Sequence, residues 1–284
     1  LFPILLSLDN HSTLLIRLIL PFSRLSMATK HLRPTDCLAP LDAPSVCIWL
    51  NGSPQSERPQ WKQLWNSAEL RACTDGGANL IVHRVKSSDL LPPTLISGDM
   101  DSISPETSKY FQSIECEMLP TPDQDKTDLT KCLELVAERV AVLPSPPAHI
   151  LILGGVSGRF DHSLATINSL LNSKEIFEKS LISLPLYLID GENLTFVVGE
   201  GAHSISLSLP LLTGICGVVP FCQRETRVST TGLRWNLEDT PMEFGGIVST
   251  SNEIVNGRVE IITSAPLIIT CEVRSIVTTP TTSN

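Results

Sequence analysis

The stretch His149-Ile-Leu-Ile-Leu-Gly-Gly155, HILILGG, decides the fold. Its apolar run has no polar alternation and is too short for a helix. It reads as a strand covered on both faces, the kind found in a parallel sheet flanked by helices. Downstream, RFDHSLATINSLLN has a helical period and LPLYLID (184–190) is another strand. Upstream, DKTDLTKCLELVAERVAVL places Leu129, Cys132, Leu133, Val136 and Val140 on one helical face. Further back come VCIWL (46–50), a helix carrying Trp61, Leu64 and Trp65, LRAC (70–73), the helix ANLIVHRVK and PTLIS (93–97). Ser104-Pro105-Glu106 reads as a helix start, with Ser as N-cap and Pro at the first helical position. CEMLP is a short fourth strand before the long helix. Strand and helix alternating in this way predict an open, mostly parallel α/β sheet over 46–190.

After Gly191 the pattern changes to short β runs separated by Gly, Pro and Asn turns, among them GICGVVPF, ETRVSTTGLRW, RVEIITS and LIITCEV. Residues 191–278 are therefore expected to form a separate all-β sandwich or barrel, with 279–284 as a tail. Residues 1–45 lack an initiating Met and are apolar, Ser-containing and nearly free of acids. Two readings stay open, a transit peptide, or a fragment or translated leader ahead of a start at Met27; the second is preferred, and the segment is left out of the fold.

Composition narrows the function. With 42% hydrophobic and 18% charged residues the chain buries a sizeable core. A formal charge of −9 argues against a nucleic-acid or acidic-membrane partner. No apolar run reaches the ~18–20 residues of a membrane span. The eight cysteines show no C-x-x-C pair, so reduced thiols in a cytoplasmic protein are expected.

The acids fall on one edge of this map. Asp75-Gly76-Gly77, Gly98-Asp99-Met100-Asp101 and Gly154-Gly155 all close predicted strands, where open α/β sheets bind ligands. Asp123 and Asp125 follow the fourth strand, and Asp128 lies in the first turn of the next helix. Asp99 and Asp101, two apart in extended backbone, leave the same side of the chain. Crowded carboxylates repel unless neutralised, and Mg²⁺ prefers such oxygens together with water and phosphates. The expectation is a Mg²⁺-held phosphate chain. Gly154-Gly155-Val-Ser-Gly158-Arg159 opens a helix and suits a phosphate, although it matches neither dinucleotide nor Walker spacing. Arg159 offers a planar fork for phosphate oxygens. Asp161-His162-Ser163 is no triad, because helical neighbours point apart; His162 is expected to be partly buried.

In the order CTDGGAN, ISGDMDSI, TPDQDKTDLTKCL, LGGVSGRFDH, STTGLRWNL and STSNE, the chain over about 46–275 resembles the thiamin pyrophosphokinases of the eukaryotic type. The resemblance implies a homodimer with active sites at the subunit interface. It also implies an N-terminal Rossmann-like α/β domain, a C-terminal β-sandwich, and Mg²⁺-dependent transfer of pyrophosphate from ATP to thiamine. By resemblance, Asp99, Asp101 and Asp128 are the metal ligands and, with Arg159, the catalytic set. Asp75, Gly76, Gly77, Gln124, Thr127, Gly155, Arg159 and Asp161 form the ATP side; Trp235, Ser249, Ser251 and Asn252 form the thiamine side. Asp128 or Asp125 orients the thiamine hydroxyl. Lys126 departs from the His of animal members, and residues 1–45 have no counterpart. A nucleotide-sugar glycosyltransferase would explain GDMDS alone, not TPDQDKTD or the terminal β region. A ligand-binding regulator with a vestigial α/β half is disfavoured by the intact acidic motifs.

Overall fold

The computed structural model describes residues 28–39 and 44–274. The first part runs β1 (Lys30–Leu32), β2 (Val46–Trp49), α1 (Gln60–Ser67), β3 (Leu70–Thr74), α2 (Asp75–Lys86) and β4 (Leu95–Gly98). It continues with α3 (Pro105–Ser113), β5 (Glu117–Pro120), α4 (Asp128–Ala141), β6 (Ile150–Leu153), α5 (Phe160–Lys179) and β7 (Leu186–Asp190). The rest is strand: β8 (Asn193–Val198), β9 (Gly201–Ser206), β10 (Leu212–Val219) and β11 (Thr226–Thr231). Last come β12 (Thr240–Met242), β13 (Ser249–Glu253), β14 (Arg258–Thr263) and β15 (Leu267–Val273).

The strands β7-β6-β2-β3-β4-β5 pair in parallel, in that order. Alternation along each strand feeds two cores. Val46, Ile48, Ile150 and Ile152 pack in one cluster with Leu133 and Val136 of α4. Cys47, Trp49, Leu151 and Leu153 pack in another with Trp65 of α1 and Ile81 of α2. That double burial is why HILILGG carries no polar alternation. Ser104 caps α3 as expected, its Oγ accepting from Thr107 N at 3.1 Å. All five residues of the expected α4 face are buried.

The β region continues the parallel sheet. From β7 the chain turns at Gly191 into the antiparallel β8, and β15, β10 and β13 extend the same sheet to ten strands. A second sheet, β1-β9-β14-β11-β12, shares one apolar cluster with it: Ile205, Val259 and Ile261 pack among Phe196, Val218 and Ile269. Against the pattern reading of 1–45, part of that segment belongs to the fold. Lys30 to Leu32 pair in parallel with His203 to Ile205, and the following 3-10 turn buries Thr35, Cys37 and Leu38. Three residues carry too little periodicity to announce a strand; a free sheet edge elsewhere supplies the partner. Met27 and the 279–284 tail lie outside the described residues.

The connectivity creates one crevice. After β2 the chain adds β3, β4 and β5 on one side, then crosses back to lay β6 and β7 on the other. The connections leaving β2 and β6 therefore lead to helices in different cores, α1 in one and α5 in the other, the kind of switch point where open α/β sheets bind ligands.

Candidate active site

Asp75 is the first residue of α2, immediately after β3, and Asp99 follows β4 on the neighbouring strand. One oxygen each from Asp75, Asp99 and Asp101 lies within 4.8 Å of the other two. The Asp99–Asp101 pair converges through a tight turn rather than extended backbone. Met100 has φ 67°, and Asp101 N–H donates to Asp99 Oδ1 at 3.1 Å. Asp75 is buried; Gly76 N–H donates to its Oδ1 at 2.7 Å and Ser102 N–H to its Oδ2 at 3.4 Å. Burial pushes its pKa up, against the Gly76 hydrogen bond, and the Asp128 and Asp99 charges push it further. Asp99 goes the other way, because Gln124 Nε2 donates to its Oδ2 at 2.9 Å and favours the ionised form.

Asp128, grouped with Asp99 and Asp101 by resemblance, does not join this trio; Asp75 stands there instead. Asp128 opens α4 and pairs with Lys131, Nζ to Oδ1 2.9 Å. Lys131 is buried and also donates to the carbonyls of Thr121 at 3.0 Å and Asp123 at 3.1 Å. It pins the loop carrying Gln124 to the first turn of the helix. Its only sequence signal is the i,i+3 spacing to Asp128. Thr127 is the N-cap of α4, with Oγ1 accepting from Thr130 N at 3.1 Å and bonded to Ser169 Oγ at 2.8 Å. Its place is thus fixed by helix capping. Lys126 Nζ turns along α4 to Glu134 Oε1 at 2.9 Å. Asp125 is exposed.

At the end of β6, Gly154 and Gly155 have φ 85° and 101°, conformations that favour glycine. A Cβ on Gly155 would lie 2.5 Å from Leu50 Cδ1. Asp190 closes β7, is buried, and accepts from Val156 N–H at 2.7 Å, holding the glycine turn. Nothing in LPLYLID marks it beyond an acid ending an apolar strand. Arg159 and Asp161 are exposed and paired, Nε to Oδ1 3.1 Å. His162 is exposed rather than partly buried, since it projects from the outer side of α5. The loop after β2 is stitched to this turn: Ser53 N–H donates to Ser157 Oγ at 3.2 Å.

The β-side residues form their own cluster. Asn252, buried, accepts from Trp235 N–H at 3.2 Å and donates to Trp235 O at 2.9 Å and Ser249 Oγ at 3.2 Å. Trp235 is 56% exposed, and Arg234 lies 4.8 Å from its ring centroid. Ser251, exposed, adopts φ 55° on the same strand. That strand, β13, is one edge of the ten-stranded sheet, seven strands from β3 and eight from β4. At about 4.8 Å per strand the two clusters stand roughly 35 Å apart as counted along the sheet.

A parallel sheet with converging carboxylates and a glycine turn on its carboxyl rim defines an α/β protein with its acids on the edge where open α/β sheets bind ligands. Comparisons with known proteins are specific. Residues 61–181 match the thiamin pyrophosphokinase catalytic domain, and residues 202–268 match the thiamin pyrophosphokinase vitamin B1 binding domain. The chain is 36% identical over 247 residues to thiamin pyrophosphokinase 1 of Caenorhabditis elegans, covering 87% of this chain and 96% of that protein. Thiamine pyrophosphokinase 1 of Oryza sativa subsp. japonica is 35% identical over 225 residues, 75% of this chain and 82% of that protein. The solved yeast thiamin pyrophosphokinase shares the fold, with a TM-score of 0.76 at 22% identity, covering 89% of this chain and 94% of that one. The chain belongs to the thiamin pyrophosphokinase family.

Proposed function

We propose that this chain is a thiamine diphosphokinase. It transfers the pyrophosphoryl group of ATP to the hydroxyethyl oxygen of thiamine, releasing thiamine diphosphate and AMP. The observation that carries the reading is the match of both family domains, in order along one chain, together with the three carboxylates converging on the catalytic half.

The residues fit a magnesium ion. Asp75, Asp99 and Asp101 offer hard oxygen donors close enough to share one cation. When bound, Mg²⁺ supplies charge neutralisation at the phosphate oxygens. The protein's own contribution is positioning, as expected for phosphoryl-type transfer. Gln124 orients Asp99, and Gly76 and Ser102 fix Asp75. Lys131 holds Asp128 and the 121–123 backbone beside them. Arg159 exchanges its surface partner Asp161 for a phosphate oxygen of ATP. Asp128 or Asp125 orients the thiamine hydroxyl.

Thiamine is taken by Trp235, Ser249, Ser251 and Asn252 of a second copy. The roughly 35 Å between β13 and the acidic rim, as counted along the sheet, supports this. The working unit is thus a homodimer. The 46–190 part is read as its Rossmann-like ATP domain and 191–278 as its sandwich. Neither nucleic acid nor an acidic membrane is read as a partner, on the ground of the −9 formal charge. The cytoplasm is the assigned compartment, in keeping with eight free cysteines.

The test incubates purified protein with ATP, Mg²⁺ and thiamine, with a control lacking thiamine. Equimolar, thiamine-dependent AMP and thiamine diphosphate are expected. ADP with thiamine monophosphate, or no product from folded protein, would refute the assignment.

A further inference from the structure

One buried carboxylate beside the site takes no part in the scheme above. Asp190 ends β7 and is 2% exposed, yet it forms no ion pair among the described residues. Arg58, whose Nη2 reaches the same hairpin, is committed to Glu192 at 2.9 Å. The hairpin does not need the Asp190 side chain either. Its main chain pairs with Asn193, and Asn193 Nδ2 donates to the Asp190 carbonyl at 3.2 Å. A buried carboxylate without a cation is costly, so an apolar residue ending this apolar strand would serve the fold as well or better. What the carboxylate does hold is a backbone amide 34 residues back in the chain. Val156 N–H donates to its Oδ2 at 2.7 Å.

Val156 lies in the turn that leads from β6 into α5. The preceding residue of β7, Ile189, accepts from Gly154 N–H at 2.9 Å. The end of β7 therefore grips alternate amides of the turn, at 154 and 156. The amides between and after them, those of Gly155, Ser157 and Gly158, have no hydrogen-bond partner among the described residues. The glycines let the turn take this path but do not hold it there. Unpaired N–H groups on a turn that opens a helix suit phosphate oxygens, and they bind them best when already fixed in place. We propose that Asp190 is a positioning residue of the phosphate-receiving turn. Through Val156 N–H it fixes the turn, so that the unpaired amides meet the ATP phosphates without first having to be ordered. The proposal rests on the ATP reading given above and adds the residue that pre-sets its phosphate contacts.

The experiment compares the full parent chain with two variants. Asp190→Leu keeps the outline of the side chain without an acceptor, and Asp190→Asn keeps an acceptor oxygen without the charge. ATP is titrated with Mg²⁺ and without thiamine, and amide hydrogen exchange is followed over 154–159. Tm and the thiamine KM are measured in parallel. In the parent, ATP should slow exchange over 154–159. Asp190→Leu should exchange faster there without ligand and bind ATP about tenfold or more weaker, the worth of one hydrogen bond to a charged group. Its Tm and its thiamine KM should stay close to the parental values. Asp190→Asn should recover most of the loss, binding ATP within about threefold of the parent. Parental ATP affinity in Asp190→Leu would overturn the proposal, as would an Asp190→Asn variant as weak as Asp190→Leu. So would exchange over 154–159 that ATP leaves unchanged in the parent. A collapse of Tm, or failure of Asp190→Leu to fold, would make the residue a part of the fold and overturn it equally. Asp190-dependent ATP binding without AMP once thiamine is added would refute the kinase reading and leave the positioning role standing. No ATP binding by the parent would end both.

Discussion

Replacing Gly98 with alanine is expected to cost most of the activity while leaving the chain folded. A Cβ at Gly98 would lie 2.5 Å from Asp75 Cγ, 2.8 Å from its Oδ1 and 2.9 Å from its Cβ. Ordinary contacts begin at 3.4 Å, so the two must separate by about 0.9 Å. Neither side is a loose end. Gly98 pairs within the sheet opposite Pro120, and Asp75 is the buried first residue of α2, its oxygens held by Gly76 and Ser102. A misplacement of about 1 Å at a reacting site costs on the order of 100-fold in rate. Overpacking of this kind costs about 1–3 kcal/mol of stability. The measurements are thiamine-dependent AMP formation across a Mg²⁺ titration, and thermal unfolding in parallel. Gly199→Ala serves as control, since a Cβ there meets nothing within 4 Å. If Gly98→Ala keeps more than about a third of the parental kcat/KM at the same Mg²⁺ dependence, the position of the Asp75 carboxylate does not govern the site.

Three further outcomes are expected. Asp99→Asn or Asp101→Asn should lower turnover at least ~100-fold, about 2.7 kcal/mol in the barrier, with near-UV circular dichroism unchanged; near-normal turnover would remove that residue from the metal set. Mixing inactive Asp101→Asn with inactive Trp235→Ala protein should restore roughly a quarter of parental activity through mixed dimers holding one intact site; a mixture as inactive as its parts would mean that each site is built within one chain. Buried His203 donates from Nε2–H to Gly199 O at 2.8 Å, and burial pushes its pKa below the ordinary histidine value. Its neutral form therefore stabilises the fold above the unfolded-state pKa of about 6.5, and that stability is lost as pH falls through and below it. The Tm of the parent should fall between pH 7 and pH 5 by more than that of His203→Gln, and identical slopes would exclude His203 as a contributor.

Much of the catalytic half is written locally in the sequence. The apolar runs of β2, β4 and β6, the helical spacing of Leu129, Cys132, Leu133, Val136 and Val140, and the Ser104 cap depend on neighbours a few residues away. Periods of 2 and 3.6 carry that information wherever the chain goes. The acids at strand ends were legible for the same reason. Once strands and helices alternate, every strand end must lie on one rim. What the pattern could not supply were relations between segments with no shared period. The parallel pairing of Lys30–Leu32 with β9, the fusion of β8, β15, β10 and β13 to the parallel sheet, and the Asp190 bond to the glycine turn join distant parts of the chain. The grouping of the carboxylates was of this kind too. Asp75 joins Asp99 and Asp101 because β3 and β4 are neighbours, while buried Lys131 claims Asp128. Sequence thus determined which elements form and which edge of the sheet carries the acids. Only the tertiary structure decided which acids meet and how far β13 stands from them, because strand neighbours and sheet edges follow from packing the whole chain at once.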